Sequence, residues 1–276
     1  MTDRKHSEHH WALVTGASAG IGAEFCRQLA ALGYNLVLVA RREHRLQELA
    51  ADMKRDFGTD SLILTADLSL PGAGSELAKR VREAGKHIDF LVNNAGYGMP
   101  GHYTEGAWDQ HAAFIQLMVT AVCELTRCLL PGMQARRGGY IINVSSLAAL
   151  IPGPPGHTLY GASKAFLVRF SESLAAENRS CGVRVSALCP GFTYSEFHDV
   201  NGTRGLVSQL PSWMWMNAPE VVRYGIDSVM RARLRVIAIP GRANRLIAML
   251  VRILPGSVMF HLGRRMSRRY RAQKAE

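Results

Sequence analysis

Closely spaced cysteines, a His-Glu-x-x-His element and an opening apolar run are all missing from this sequence. Its five cysteines, Cys26, Cys123, Cys128, Cys181 and Cys189, are scattered among apolar residues with no CxxC and no metal-ligand spacing. An odd, dispersed set argues against a disulfide framework and reads as reduced, mostly buried thiols in a cytoplasmic protein. No metal site is expected, because the ten histidines show no ligand pattern either. Residues 1–10 are polar and charged, which predicts neither a secretory signal nor an anchor ahead of Trp11. At the other end, acidic residues are nearly absent. Residues 231–276 hold 12 Lys+Arg against one acid, Glu276, so this stretch carries the whole net charge of +11. Of the 33 basic and 22 acidic residues in the chain, 21 of each sign precede Arg231 and cancel.

Alternation dominates the rest. With 276 residues, 47% of them hydrophobic, the chain can build one large α/β domain. Apolar runs at 11–16, 35–40, 61–67, 89–95, 140–146, 184–190 and 234–239 read as strands. They are rich in Val, Ile and Leu without clean alternation, as expected of strands covered on both faces. Helix-length segments at 23–32, 43–57, 74–84, 107–136, 162–179 and 219–231 separate them. The expectation is a Rossmann-like, doubly wound parallel sheet of about seven strands. Residues 1–10 form a polar tail, 11–241 the domain and 242–276 a basic helical extension. Residues 192–217 break the rhythm; they hold Phe192, Tyr194, Phe197 and Trp213-Met214-Trp215-Met216. A long irregular segment after a late strand is placed to cover a ligand, or else packs its aromatics on the body.

Two motifs carry chemistry. Thr15-Gly16-Ala17-Ser18-Ala19-Gly20-Ile21-Gly22 lies between the first strand and the first helix. Glycines there let the backbone approach a pyrophosphate, and a helix N-terminus offers free N–H groups. The second strand ends in Ala40-Arg41-Arg42 with no acid before Glu43. A guanidinium suits a 2′-phosphate better than a hydroxyl, so NADPH is expected over NADH. Tyr160 and Lys164 in Tyr160-Gly-Ala-Ser-Lys164 stand one helical turn apart. A lysine beneath the phenol favours its ionised form and tunes it for proton exchange with a carbonyl or alcohol oxygen.

In this order, and with Asp67-Leu68, Asn93-Asn94-Ala95-Gly96, Ser145-Ser146 and Pro190-Gly191, the motifs resemble the short-chain dehydrogenase/reductase family over residues 11–239. The resemblance implies that Asp67 and Leu68 contact adenine, and that Asn94, Ala95 and Gly96 belong to the fourth-strand cofactor signature. It implies Tyr160 as general acid/base, with Lys164 lowering its pKa and holding the nicotinamide ribose. Ser146 would hydrogen-bond the substrate oxygen. It stands one residue farther from Tyr160 than is usual in the family, an excess that Pro152-Gly-Pro-Pro-Gly156 absorbs, and Ser145 is the fallback. Pro190, Gly191, Thr193 and Ser195 would line the nicotinamide side. The departure is Met118, where the family has an asparagine that shapes a helix kink and a water relay. Methionine cannot replace the amide's hydrogen bonds.

The family's assembly habit implies a homodimer or homotetramer through the two long helices. Cys123, Leu125, Phe166, Phe170 and Leu174 belong either to that contact or to the core. Residues 244–254 form an apolar helix candidate broken by arginine and stopped by Pro255-Gly256, too short for a span. Followed by the arginine cluster at 264–271, it fits packing on the body or a partner subunit, or peripheral binding at the inner face of a membrane. Nucleic acid is not expected, since no recognition fold accompanies the charge. The resulting reading is an NADPH-dependent oxidoreductase interconverting a hydrophobic ketone or aldehyde and its alcohol, with Phe192, Trp213 and Trp215 at the substrate. The helix pattern is similar to the branch with 17β-hydroxysteroid dehydrogenases and ketoacyl reductases. The alternative is a non-catalytic NADP-binding sensor or a membrane-recruited scaffold.

Overall fold

The computed structural model describes residues 10–153, 155–196 and 211–254. Strands β1 (Trp11–Thr15), β2 (Asn35–Ala40), β3 (Ser61–Thr65), β4 (Ile88–Asn93), β5 (Gly139–Val144) and β6 (Val183–Leu188) fall where the apolar runs put them. A short ribbon follows, in which β7 (Phe192–Tyr194) pairs in parallel with β8 (Trp215–Asn217). The two-residue β9 (Ile237–Ala238) completes a seven-stranded sheet of order β3-β2-β1-β4-β5-β6-β9, parallel throughout.

Helices α1 (Gly20–Ala31), α2 (Glu43–Phe57), α3 (Ala73–Glu83), α4 (Trp108–Ile115), α5 (Ala121–Ala135), α6 (Thr158–Glu177), α7 (Ala218–Met230) and α8 (Arg242–Ile253) connect and cover the strands. Successive strand residues serve opposite cores, because side chains alternate across a sheet. Ala12, Val14, Leu36, Leu38, Phe90 and Val92 pack under α1, α2 and α7 through Phe25, Leu29, Leu46, Met53, Val222 and Val229. Leu13, Val37, Val39, Leu91 and Ile141 pack on α3, α5 and α6 through Leu77, Val81, Leu125, Leu129 and Leu174. This two-sided burial is why no polar alternation shows in the strands. The five cysteines are free; only Cys26 and Cys189 are fully buried, so the thiols are less enclosed than the sequence suggests.

Three differences from the sequence reading bear on the site. The strands at 61–67, 89–95, 140–146 and 184–190 end two residues early, because the chain leaves the ladder into loops at the C-terminal edge. Asp67, Asn94, Ala95, Ser145, Ser146 and Pro190 therefore all lie just past the sheet. The helix expected at 107–136 is broken by a π-helical turn, Gln116–Thr120, with Met118 buried at its centre. Such a turn inserts an extra residue into the helical ladder and is common at functional sites. Of the irregular stretch at 192–217, the described ends form the β7–β8 ribbon, while 197–210 lie outside the described residues, as do the polar head at 1–9 and the arginine cluster at 264–271. Trp108–Ala135 is long and apolar enough to cross a membrane by composition, yet Leu125, Leu129 and Met133 pack it on the sheet.

A chain of buried amides ties the central strands together. Asn93 on β4 donates to the Asn143 side-chain carbonyl on β5 at 2.8 Å and to the Thr126 hydroxyl of α5 at 3.2 Å. Asn143 in turn donates to Ser171 of α6 at 2.8 Å, and Ser171 donates to the Leu167 carbonyl.

Candidate active site

The glycine turn closes β1 onto α1. Gly16 and Gly20 take φ of 67° and 53°, a region that favours glycine. Gly22 has no room for a side chain: a Cβ there would lie 2.1 Å from the Gly16 carbonyl oxygen. Thr15 fixes this turn to the next loop, its hydroxyl accepting from the Asn94 and Ala95 N–H groups at 2.9 and 3.0 Å. Asn94 returns a bond from Nδ2 to the Thr15 carbonyl at 2.9 Å. The Asn94 side chain is thus committed to the scaffold rather than turned outward.

The end of β2 meets the turn through charge. Arg42 caps α2 and donates to the Ser18 hydroxyl at 3.1 Å and to Glu196 at 3.1 Å; Arg45 reaches the same carboxylate at 2.6 Å. Arg42 thus reaches the glycine turn through Ser18, whereas Arg45 reaches Glu196, and both side chains stay over a third exposed. The Arg45 and Arg42 bonds hold the Glu196 carboxyl below its usual range, against the opposing effect of burial. Glu196 carried no motif signal, since its partners lie about 150 residues away in sequence. Asp67 turns its carboxylate onto Ser69, accepting from the backbone N–H at 3.0 Å and the hydroxyl at 2.7 Å. Burial alone would raise its pKa, but the Ser69 bonds and nearby Arg41 win and hold it low. Leu68 is buried beneath this turn and Ile21 is partly covered.

The serine pair separates cleanly. Ser145 is buried and donates to the Lys164 backbone carbonyl at 2.8 Å. Ser146 instead caps the short turn Leu147–Ala149, accepting from the Ala148 N–H at 3.1 Å, and hydrogen-bonds the Tyr160 phenol. Tyr160 and Lys164 share the face of α6 that meets the end of β5, with the Lys164 ammonium nitrogen 5.7 Å from the Tyr160 ring centre. The net shift of the phenol runs upward, with burial as its largest cause and no contribution from Lys164. Burial raises the Tyr160 pKa and the Ser146 bond only partly offsets this, while burial lowers Lys164 to about 8. Desolvation penalises both charged forms, and Lys164 satisfies its amine by donating to the Val144 carbonyl at 2.8 Å. Met118 abuts the same spot: a Cβ on Gly96 would lie 2.9 Å from its sulfur and 3.8 Å from the Lys164 nitrogen. His157 precedes α6, its ring 6.5 Å from that of Tyr160, with burial keeping it neutral at pH 7.

Past Pro190, Thr193 is buried and donates to the Gly191 carbonyl at 3.1 Å. Ser195 lies over the glycine turn, its Cβ only 3.0 Å from where a Cβ on Gly20 would stand. Phe192 and Trp215 meet at 5.6 Å, and Tyr194 stacks on Trp215 at 4.7 Å. Trp213 stands apart from this cluster, 65% exposed. A dinucleotide fits this arrangement. The side-chain-free cradle at Gly16, Gly20 and Gly22 suits a pyrophosphate, and the Ser18–Arg42–Arg45 cluster suits a phosphorylated ribose.

A model of the short chain dehydrogenase family matches residues 10–203. The chain belongs to that family. Among relatives of this family member, the very-long-chain 3-oxoacyl-CoA reductase of Anas platyrhynchos is 34% identical over 197 residues, covering 69% of this chain and 62% of that protein. The 17-beta-hydroxysteroid dehydrogenase type 3 of Mus musculus is 36% identical over 183 residues, 65% of this chain and 59% of that one. Inactive hydroxysteroid dehydrogenase-like protein 1 of Homo sapiens is 35% identical over 184 residues, 65% and 54%. The match thus spans less than two thirds of these relatives' length. A solved short-chain dehydrogenase from Sphingobium yanoikuyae in complex with NADPH superposes with a TM-score of 0.77, at 31% identity, covering 89% of this chain and 96% of that one.

Proposed function

We propose that this protein is an NADPH-dependent oxidoreductase that interconverts a hydrophobic ketone or aldehyde and its alcohol. The observation that carries the reading is the meeting of Ser146, Tyr160 and Lys164 just past β5, beside the glycine turn. A nicotinamide supplies or accepts the hydride at the carbonyl carbon. The chain's own residues manage the oxygen. A phenol is protonated at neutral pH, and burial, which raises the Tyr160 pKa, holds the proton more firmly, so it stands as a donor in the reducing direction. Ser146, bonded to the same phenol, contributes a second hydrogen bond that polarises the carbonyl. As the oxygen gains charge, the phenol proton passes to it, and Lys164 lies close enough to stabilise the phenolate that remains. The Lys164–Val144 carbonyl bond gives the ammonium a backbone partner in place of the family's asparagine relay.

Preference for NADPH rests on Ser18, Arg42 and Arg45, with Arg41 beside Asp67. The aromatic cluster of Phe192 and Trp215 argues for an apolar substrate, as does the likeness to a very-long-chain 3-oxoacyl-CoA reductase and a 17-beta-hydroxysteroid dehydrogenase. A homodimer or homotetramer is part of this reading. Leu125 and Leu174 are core residues and Phe170 packs against the same core, whereas Phe166, stacked on Phe170 at 5.7 Å, is exposed on α6 for a neighbour.

A second reading, a non-catalytic NADP-binding protein, draws on Met118 beside Lys164 and on the inactive human relative. One experiment separates the two: NADPH consumption with long-chain 3-oxoacyl thioesters and steroid ketones, using Tyr160→Phe as the control. Turnover that falls by at least about 10²-fold in the variant establishes the enzyme. NADPH binding with no turnover on either class, restored by Met118→Asn, would establish a dormant site instead.

A further inference from the structure

Helix α8 has two apolar sides, and the body covers only one. Asn244 is buried and donates to the Pro240 carbonyl at 2.9 Å. It also packs so closely on Gly191 that a Cβ there would lie 2.6 Å from its side-chain oxygen. Ile247, Ala248 and Val251 are partly covered beside it. The other side carries Leu246, Met249, Leu250 and Ile253, which are 52%, 53%, 45% and 71% exposed. Their i, i+3, i+4, i+7 spacing gathers them into one stripe. Arg242, Arg245 and Arg252 are also exposed, with Arg245 and Arg252 along one border of the stripe.

The charge says what covers it. Residues 231–276 carry the entire +11, while everything before them is neutral. A second copy would set like charge against like, and so would this chain's own residues 255–276, which hold six Lys+Arg and one acid. A surface that is both apolar and anionic matches the stripe and its arginines together. We propose that α8 docks this protein on an anionic lipid bilayer, with Leu246, Met249, Leu250 and Ile253 at the acyl boundary and the arginines among the phosphates. Asn244 touches Gly191 and Met216 of β8, so the bilayer lies one helix away from the nicotinamide side of the site. If the redox reading holds, a ketone dissolved in lipid has a short path to Tyr160. Docking itself does not depend on that reading.

Sedimentation of the full chain with vesicles, without cofactor, tests docking independently of turnover. Wild type is expected to pellet with vesicles of phosphatidylcholine and phosphatidylglycerol, far less with phosphatidylcholine alone, and to come off as salt is raised. Leu246→Ser, Leu250→Ser and Ile253→Ser together change only exposed positions; the variant should melt like wild type and bind about tenfold or more weakly. Arg245→Gln with Arg252→Gln, which leaves the apolar stripe intact should the triple variant not fold, should cost about fivefold per arginine on anionic vesicles alone. Wild type that stays off anionic vesicles overturns the proposal, as does a folded triple variant that binds undiminished. Loss of a dimer in the triple variant, with no vesicle binding by wild type, would assign the stripe to a second copy.

Discussion

Glu196 holds the two guanidiniums that a 2′-phosphate would need, so removing its charge should tighten NADPH selectively. The Arg42 and Arg45 pairs measure 3.1 and 2.6 Å, and all three side chains are 36–42% exposed. Water screens such pairs to about 0.2–1 kcal/mol each, far below their unscreened attraction. Glu196→Gln keeps the shape and removes both ion pairs, about 0.4–2 kcal/mol together, which lowers the NADPH dissociation constant by about 2- to 30-fold. NADH has no 2′-phosphate, so its affinity should change by less than about twofold. Titration of each dinucleotide by its fluorescence on binding, at low and high salt, reads the difference. Equal tightening of both dinucleotides would refute the argument. So would weaker NADPH binding, which would mean that the carboxylate positions the arginines instead of competing for them. The sign with pH follows from the lowered carboxyl pKa: the Glu196 contribution to stability is present above the ordinary carboxylate range and is lost as pH falls through its folded value.

The serine pair should divide by effect. Ser146→Ala is expected to cut kcat by about 10²-fold with little change in melting temperature. Ser145→Ala leaves the Lys164 carbonyl without its buried partner and should cost about 1–3 kcal/mol of stability, read by denaturant unfolding. Lys164 gives a pH signature opposite to that of an ion-paired lysine. Its folded pKa of about 8 lies below the unfolded 10.5, so the unfolded chain binds more protons between those values. Stability of the cofactor-free protein should therefore rise with pH across that window, by about 3 kcal/mol at the limit relative to Lys164→Met. A flat difference between the two proteins would show that Lys164 is not desolvated.

The strands, the glycine turn and the Tyr160–Lys164 pair were legible because each is written in a local pattern: apolar runs, residue spacing, one helical turn. Strand ends were less legible, since the last ladder bond depends on where the neighbouring strand stops; Asp67, Asn94 and Ser146 lie past the sheet for that reason. The π-turn around Met118 has no local signature. It persists without the amide associated with the family's kink, so the amide is not what builds it here. Glu196 and the Val144 carbonyl act across long sequence separations that spacing alone does not reveal. The raised Tyr160 pKa was not legible because its cause is burial, a property of the packed molecule that two letters do not carry.

The Asn93–Asn143 bond also has a meaning for how the chain finds its pairing. These residues face each other in the β4–β5 register, 4% and 0% exposed, beside the aliphatic pairs Leu91–Ile141 and Val92–Ile142. Valine and isoleucine would tolerate a slipped alignment, whereas two amides would not. A one-residue slip would break the bond between them inside the core, where no water replaces it. They act as a key that admits one alignment, and the residues just beyond them, Asn94 and Ser145, inherit it. The spacing between the glycine turn and the Ser145–Ser146 pair is thereby tied to one strand alignment.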